Sequence, residues 1–399
     1  MSRYHRTDRI VLELPVVETH ADRASPSPPK HPYLPLMAHY LAVRAFGVAI
    51  LALMASYRDM SLLDRLTAWD GWWYLHLARY GYTAGLDGLL DAAGKPYPDA
   101  PMAFFPLYPD LIALVSKLPS VSPTGAALTI SAAAGMAAAA GLGRLARFVS
   151  SSPHTGWILV TLWAGAPMAI TQSMAYTESL FTALAVWALV GVVEKQWYLA
   201  GVCAFFAGLC RSTASVLIAV VVVAALIDLI HRRATWPVSF AAVLSPLGLL
   251  GYWAFVAQRT GSLTGWTDIE SRGWNTRFDF GRESATELTR LLLMPDYPLW
   301  MLLVWLTVVG AVVLAAVSIR RIPWPLAAYS IGVVLLIIGT MGLPAAKMRF
   351  LLPAATLLIP LALGIIKLKP RTVYVTLAAY VLAGAWISGY GLTVWRYAI

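Results

Sequence analysis

The stretch Trp69-Asp70-Gly71-Trp72-Trp73-Tyr74-Leu75-His76-Leu77-Ala78-Arg79-Tyr80-Gly81-Tyr82 sets one carboxylate among six indole and phenol rings. Trp and Tyr gather at the headgroup level of a bilayer, so an interfacial belt accounts for the rings. It does not account for Asp70, because a carboxylate gains nothing from an apolar interface. A carboxylate held partly out of water binds a proton more readily, which is the property a general base needs. Both readings, belt and site, stand on the residues alone. His76 is the one histidine of the seven that falls inside a motif.

Three further groupings carry charge beside apolar runs. In Phe104-Phe105-Pro106-Leu107-Tyr108-Pro109-Asp110 the prolines shape a short helix. Asp110 is either a second site carboxylate or an ordinary first-turn acid that satisfies helix N–H groups. In Tyr176-Thr177-Glu178-Ser179 an acid stands between two apolar stretches. There it serves either a site or a helix cap. Lys347-Met348-Arg349-Phe350, Arg211 and Arg259-Thr260-Gly261 place cations beside apolar runs. Arg grips phosphate through two parallel hydrogen bonds and Lys acts as a point charge, so Lys347, Arg349 and Arg211 suit a lipid-linked phosphate; snorkelling to headgroups is the plainer alternative.

Other chemistries find no foothold. The chain has no glycine-rich phosphate loop, no HExxH, no clustered His or Cys ligands and no nucleophile-elbow serine. No metal-binding residue is assigned, although a divalent ion gathered by Asp70, Asp110 and Glu178 stays open. Cys203 and Cys210 lie two helical turns apart in one apolar stretch and read as membrane-core residues.

The elements that must position these groups are apolar helices. Of 399 residues, 59% are hydrophobic and 13% charged, against about 25% charged in a soluble domain. Eleven stretches approach the length of a membrane span: 37–56, 122–145, 155–172, 176–193, 197–211, 213–231, 236–257, 297–318, 323–341, 349–366 and 372–392. The pair around Arg211 also fits a broken or re-entrant hairpin. The expectation is an all-α polytopic membrane protein of about eleven transmembrane helices. Residues 1–36, rich in Arg, Pro and Ser, read as a disordered cytoplasmic tail, and 37–399 as one transmembrane domain.

Charge sets the orientation. With the N-terminus inside, Arg144/Arg147, Lys195, Arg232/Arg233, Arg320/Arg321 and Lys367/Lys369/Arg371 all fall inside, as the positive-inside rule requires. The net charge of +10 is spread over these clusters rather than gathered on one soluble domain, which argues against a nucleic-acid partner. The apolar stretch 103–118 then cannot be a further crossing, since every later cluster would flip. It reads as a helix on the outer interface. Two outer loops remain, about 57–121 and 258–296, and loops of this length tend to be functional.

Taken together, Trp69-Asp70-Gly71-x-Trp73-Tyr74, the Arg79-Tyr80-Gly81-Tyr82 run, Phe105-Pro106-Leu107-Tyr108-Pro109 and Ala175-Tyr176-Thr177-Glu178-Ser179-Leu180-Phe181 resemble the PIG-V family of mannosyltransferases, which has bacterial members. The resemblance spans residue 37 to the C-terminus. It departs at Arg211-Ser212-Thr213-Ala214, where family members often carry an Arg-Ser-Asn-Gly-like run, and at Arg349-Phe350, which stands for a later Arg-Tyr/Phe-like motif. It implies a GT-C-like bundle with juxtamembrane helices in the first outer loop, and an integral protein of a bacterial plasma membrane whose active site faces outside. It also implies an inverting transfer of mannose from polyprenyl-phosphate-mannose to a glycolipid, glycan or protein acceptor. In that reading Asp70 is the general base, and Lys347, Arg349 and Arg211 bind the donor phosphate. Trp69, Trp72, Trp73, Tyr74, His76, Tyr108, Asp110, Tyr176 and Glu178 contact sugar or acceptor. The donor sugar is a substrate, and no cofactor is assigned. A lipid-linked-sugar carrier or flippase, or a noncatalytic subunit of a membrane transferase complex, is the alternative.

Overall fold

The computed structural model describes residues 33–91, 94–231, 235–294 and 297–395. Residues 1–32 of the expected tail, and the Arg232/Arg233 cluster, lie outside the described residues. The chain is helical from Leu34, three residues before the expected first span. Among the described residues it is all-α apart from one two-residue strand pair and an isolated bridge.

In chain order, α1 (Leu34–Ser56) is followed by the short helices α2 (Leu62–Leu66) and α3 (Asp70–Tyr80), a 3₁₀ turn at Ala100–Ala103, and α4 (Leu107–Val115). Then come α5 (Pro123–Val149), α6 (His154–Ala164), a 3₁₀ turn at Ala169–Ser173, α7 (Glu178–Val193), α8 (Trp197–Gly208), α9 (Ala214–Ile230) and α10 (Trp236–Thr260). The second loop holds α11 (Gly265–Trp274) and α12 (Arg282–Leu293). The chain ends with α13 (Leu299–Arg321), α14 (Trp324–Gly339), α15 (Lys347–Phe350), α16 (Ile359–Ile365) and α17 (Pro370–Thr393).

Among the described residues, five helices are long and apolar enough to cross a membrane: α1, α5, α10, α13 and α17. A sixth is reached if the pair Pro344–Phe350 and Ala355–Ile365, bent by 73°, counts as one span. Each of the eleven expected stretches contains helix, but 349–366 is interrupted at 351–354 and 323–341 ends in a strand, while α7, α8, α9 and α14 have 16, 12, 17 and 16 residues. At 1.5 Å per residue these reach about 18–26 Å, short of a core about 30 Å thick. The 155–172 stretch is not one helix. It breaks at Gly165, and Met168 sits in the left-handed region at φ 61°.

The apolar helices turn much of their surface outward. In α1, α10, α13 and α17 a third or less of the apolar window is buried, against 56% in α5. Leu250, Val313, Val375 and Leu382 are among the exposed aliphatic residues. Lipid is the solvent such surfaces fit. Inside, helices approach on small residues. A Cβ on Gly201 would lie 2.9 Å from Ala241 Cα, and one on Gly248 would overlap the Phe205 carbonyl, so α8 and α10 meet backbone to backbone.

Breaks in buried helices leave carbonyls that need donors. Arg44 Nη1 of α1 donates to Ala164 O at 2.7 Å, and Gln172 Nε2 donates to Trp163 O at 3.0 Å, which satisfies the end of α6. Trp163 Nε1 in turn donates to Leu352 O at 3.1 Å, tying this break to the one after α15.

The two ends of α7 differ. At its C-terminal end Arg144 grips Glu194 through two 2.7 Å hydrogen bonds, and Lys195 pairs with Asp228 at 2.9 Å. Arg147 lies over the Tyr33 ring, at the start of α1. Glu178 opens the other end, sixteen residues away, or about 24 Å. Arg144, Arg147, Glu194, Lys195 and Asp228, five of the charged residues expected on the inner side, thus lie toward the end of α7 opposite Glu178.

At that opposite end the two long loops, 57–121 and 258–296, form one layer. The 3₁₀ turn and nine-residue α4 are too short to cross, and α4 is two-faced: Tyr108 and Ile112 are buried while Asp110 and Leu114 are exposed. Strand β1 (Arg277–Phe278) of the second loop pairs antiparallel with β2 (Thr340–Met341), just before α15. α11 lays Trp266 against Phe105 and Trp274 against Phe104 and Trp73, with ring centroids 5.5–6.0 Å apart.

Candidate active site

Asp70 is the first residue of α3. Trp69 before it has φ 56°, ψ −119°, a backbone conformation unusual for a bulky side chain and typical of functional sites. Contacts with the segment before α7 hold the turn. Ala175 N donates to Leu66 O at 2.9 Å, and Asp70 N donates to Tyr176 Oη at 3.3 Å. Gly71 packs against the same segment, where a Cβ would touch Ala175 Cβ and its carbonyl oxygen at 3.4 Å. Behind this segment, Ser131 Oγ of α5 donates to Met174 O at 2.8 Å and lies 2.8 Å from Tyr108 Oη.

A chain of four charges follows. Arg349 Nη1 donates to Asp70 Oδ2 at 2.6 Å, and its Nε stands 3.5 Å from Glu178 Oε1. The same Glu178 oxygen accepts from Arg211 Nη1 at 2.7 Å, which also donates to Thr177 Oγ1 at 3.0 Å. Arg349 lies over the Tyr176 ring, 5.1 Å from its centroid, and Phe350 lies beside both guanidinium groups. Two carboxylates and two guanidiniums sum to zero formal charge. The inner end is dry, with Glu178 at 0% and Arg349 at 4% side-chain exposure, while Asp70 keeps 26%. Glu178 is also the first residue of α7, beside the unpaired N–H groups of that helix end. Glu178 Oε2 and Arg349 Nε are buried without a hydrogen-bond partner. Such groups are rare and call for an explanation.

A fifth group joins from the second loop. Glu270 of α11 is half-buried and makes no ion pair or side-chain hydrogen bond among the described residues. Desolvation first, and then the charge of Asp70, pushes its carboxyl up to about 8, against the pull of Arg211. Sequence reasoning missed Glu270. The signal was present as Trp266-x₃-Glu270-x₃-Trp274, one helix face with an acid between two indoles.

The other expected site residues divide. Tyr74 reaches Thr177 Oγ1 at 3.4 Å and stays with the cluster, while Trp69 lies at its rim, 41% exposed. Trp73 stacks on Phe104 at 5.4 Å, within the layer between the loops. Trp72 and His76 turn to another face of α3, stacked at 5.1 Å. With Arg79, Asp87 and Ser122 they line an open groove of about 700 Å³. Burial pushes the His76 imidazole below its usual range.

Tyr108 is fully buried, and its hydroxyl bonds to Ala127 O and Ser131, so it braces the 174–176 segment rather than facing a ligand. Lys347 is apart from Arg349: its Nζ donates to Ile337 O and Thr340 O at 2.8 Å and closes the end of α14. Asp110 is exposed on α4 and pairs with none of the cluster. It takes the place of a first-turn acid. Asp70, Asp110 and Glu178 thus do not gather around one point, and among the described residues no three His, Cys, Asp or Glu side chains stand together as a metal site.

Neither a scan against protein-family models nor a search of curated proteins finds a match to this chain.

Proposed function

We propose that the protein is a membrane glycosyltransferase of the GT-C type, similar to the PIG-V mannosyltransferases. It would move mannose from polyprenyl-phosphate-mannose to a glycolipid, glycan or protein acceptor on the outer face of a bacterial plasma membrane. One observation carries the reading. Motifs as distant in sequence as Asp70, Glu178, Arg211 and Arg349 meet in one charged chain, at the end of α7 opposite Arg144 and Lys195. Transfer from a lipid phosphate has a use for both charges, a carboxylate to take the acceptor's proton and guanidiniums to steady the leaving phosphate.

In this reading the anomeric carbon–phosphate bond breaks and its electron pair leaves with the phosphate. The acceptor oxygen attacks from the opposite face, and its proton passes to a carboxylate. Asp70, at the partly open end of the chain, is the general base. Arg349 and Arg211 steady the charge that grows on the phosphate, the term that usually dominates such catalysis. The exposed Trp69, and Trp72 with His76 in the neighbouring groove, offer stacking faces for sugar rings. The four shorter apolar helices, and the broken one at 154–173, complete the bundle around the five longer spans. The N-terminus then lies in the cytoplasm.

The test is incubation of the purified protein in lipid with labelled polyprenyl-phosphate-mannose and host membrane lipids. A labelled product made by the wild type, and reduced at least a hundredfold in Asp70→Asn, is expected. Label that only changes leaflet, with no covalent product, would establish a carrier instead. Near-normal product from Asp70→Asn would remove Asp70 from the reaction.

A further inference from the structure

Three carboxylates stand at the outer end of the bundle, and they differ in what holds them. Glu178 is bound by Arg211 and Arg349. Asp70 has one oxygen bound by Arg349. Glu270 has no cation on it among the described residues. Its direction is fixed by the helix face it shares. Trp266, four residues before it, packs on Phe105, and Trp274, four residues after it, packs on Phe104 and Trp73. Trp73 is three residues past Asp70, on the same side of α3. Two indoles thus pin the face of α11 that carries Glu270 onto the first loop, at α3, within reach of the charge of Asp70.

From this geometry we infer that Asp70 and Glu270 act as one proton-accepting pair, supplied by the two outer loops, and that Glu270 is the member that keeps the acceptor's proton. The inference rests on the transferase reading above. As the new bond to the anomeric carbon forms, the acceptor O–H bond breaks and its proton enters the pair, while the phosphate leaves with the electrons of the old bond. A proton kept on Asp70 would share a carboxylate whose Oδ2 is bound by Arg349. On Glu270 it meets no cation at hydrogen-bond distance and removes a like charge from beside Asp70.

The groups that face Glu270 are few. Asp70 from α3 raises its proton affinity and Arg211 lowers it, and α10 presents the Tyr252 hydroxyl, which is spent on Met102 O and Phe104 O. On α11 itself Asp268 is bound by Thr264, and Arg272 lies over Tyr97. Arg277 of β1 is turned to Met341. With the carboxyl at about 8, half or more of the Glu270 side chains are protonated at neutral pH.

Two measurements on the full-length protein in lipid test the pair. The first is turnover with labelled polyprenyl-phosphate-mannose. Glu270→Gln, which keeps shape and packing, is expected to lower kcat/KM about a hundredfold and to erase the rise in rate with pH that the wild type shows through about 8. Glu270→Asp is expected to keep that rise. The second reads the proton without turnover. A hydrophobic carbodiimide labels protonated carboxyls, and mass spectrometry locates the adduct. Glu270 is expected to label at neutral pH, to stop labelling above about 8, and to lose label at lower pH in Asp70→Asn, where the like charge is gone.

Glu270→Gln within about threefold of wild type with an unchanged pH profile would overturn the inference while leaving the transferase reading intact. Absent label at neutral pH, or label indifferent to Asp70→Asn, would also overturn it. Labelling that shifts as described in a protein that transfers no sugar would keep the pair and sink the transferase reading.

Discussion

Replacing Glu178 with Gln removes one charge from the driest part of the site and leaves its shape. Glu178 Oε1 stands 2.7 Å from Arg211 Nη1 and 3.5 Å from Arg349 Nε. With an effective dielectric of about 20, those separations give attractions of about 6 and about 5 kcal/mol. The cost of taking three charges out of water offsets most of this, and breaking a buried pair typically destabilises by about 3–5 kcal/mol. The Gln amide oxygen keeps one hydrogen bond, so a loss of about 3 kcal/mol is expected, at the low end of that range. Asp70→Asn acts on the same network at its open end, where the carboxylate is 26% exposed, and should cost about 1 kcal/mol or less. The assay is reversible unfolding in mixed micelles, followed by intrinsic tryptophan fluorescence. Arg211→Met completes a double-mutant cycle with Glu178→Gln, and a coupling of about 2–3 kcal/mol is expected. Equal losses for Glu178→Gln and Asp70→Asn, or a coupling near zero, would refute the idea that a buried charge chain holds these motifs together.

Two further substitutions separate support from chemistry. Lys347→Met leaves Ile337 O and Thr340 O without their donor. It should lower stability by about 1–3 kcal/mol, yet raise KM for the phosphate donor much less than Arg349→Met does; steady-state kinetics beside the unfolding assay checks this. Gly248→Ala drives a methyl group into the Phe205 carbonyl, should destabilise by about 1–3 kcal/mol, and should slow turnover because α8 leads directly to Arg211. A fully active, equally stable Gly248→Ala would show that the close approach of α8 and α10 is dispensable.

Composition and hydropathy determined the class of solvent this chain folds in, because 59% hydrophobic residues cannot all be hidden inside one bundle. The apolar runs marked where helices form, and the charge pattern marked which ends go together: Arg144 with Glu194 and Lys195 with Asp228 lie at one end of α7. Asp70, Glu178, Arg211 and Arg349 were also legible, since ionisable groups beside apolar runs are conspicuous. What tertiary structure alone decided is how those groups pair and which side chains leave the set. Lys347 and Arg349 are two residues apart, so a short helical turn points them about 200° apart, one onto the end of α14 and the other onto Asp70. Tyr108 has the residue type of a ligand contact, but its burial against Ser131 makes it a brace. The break at Gly165 depends on donors from Arg44 and Gln172, partners that hydropathy cannot see. Glu270 entered the site through the packing of Trp266 and Trp274 on the first long loop, a contact between segments about 160–200 residues apart along the chain that no local pattern encodes.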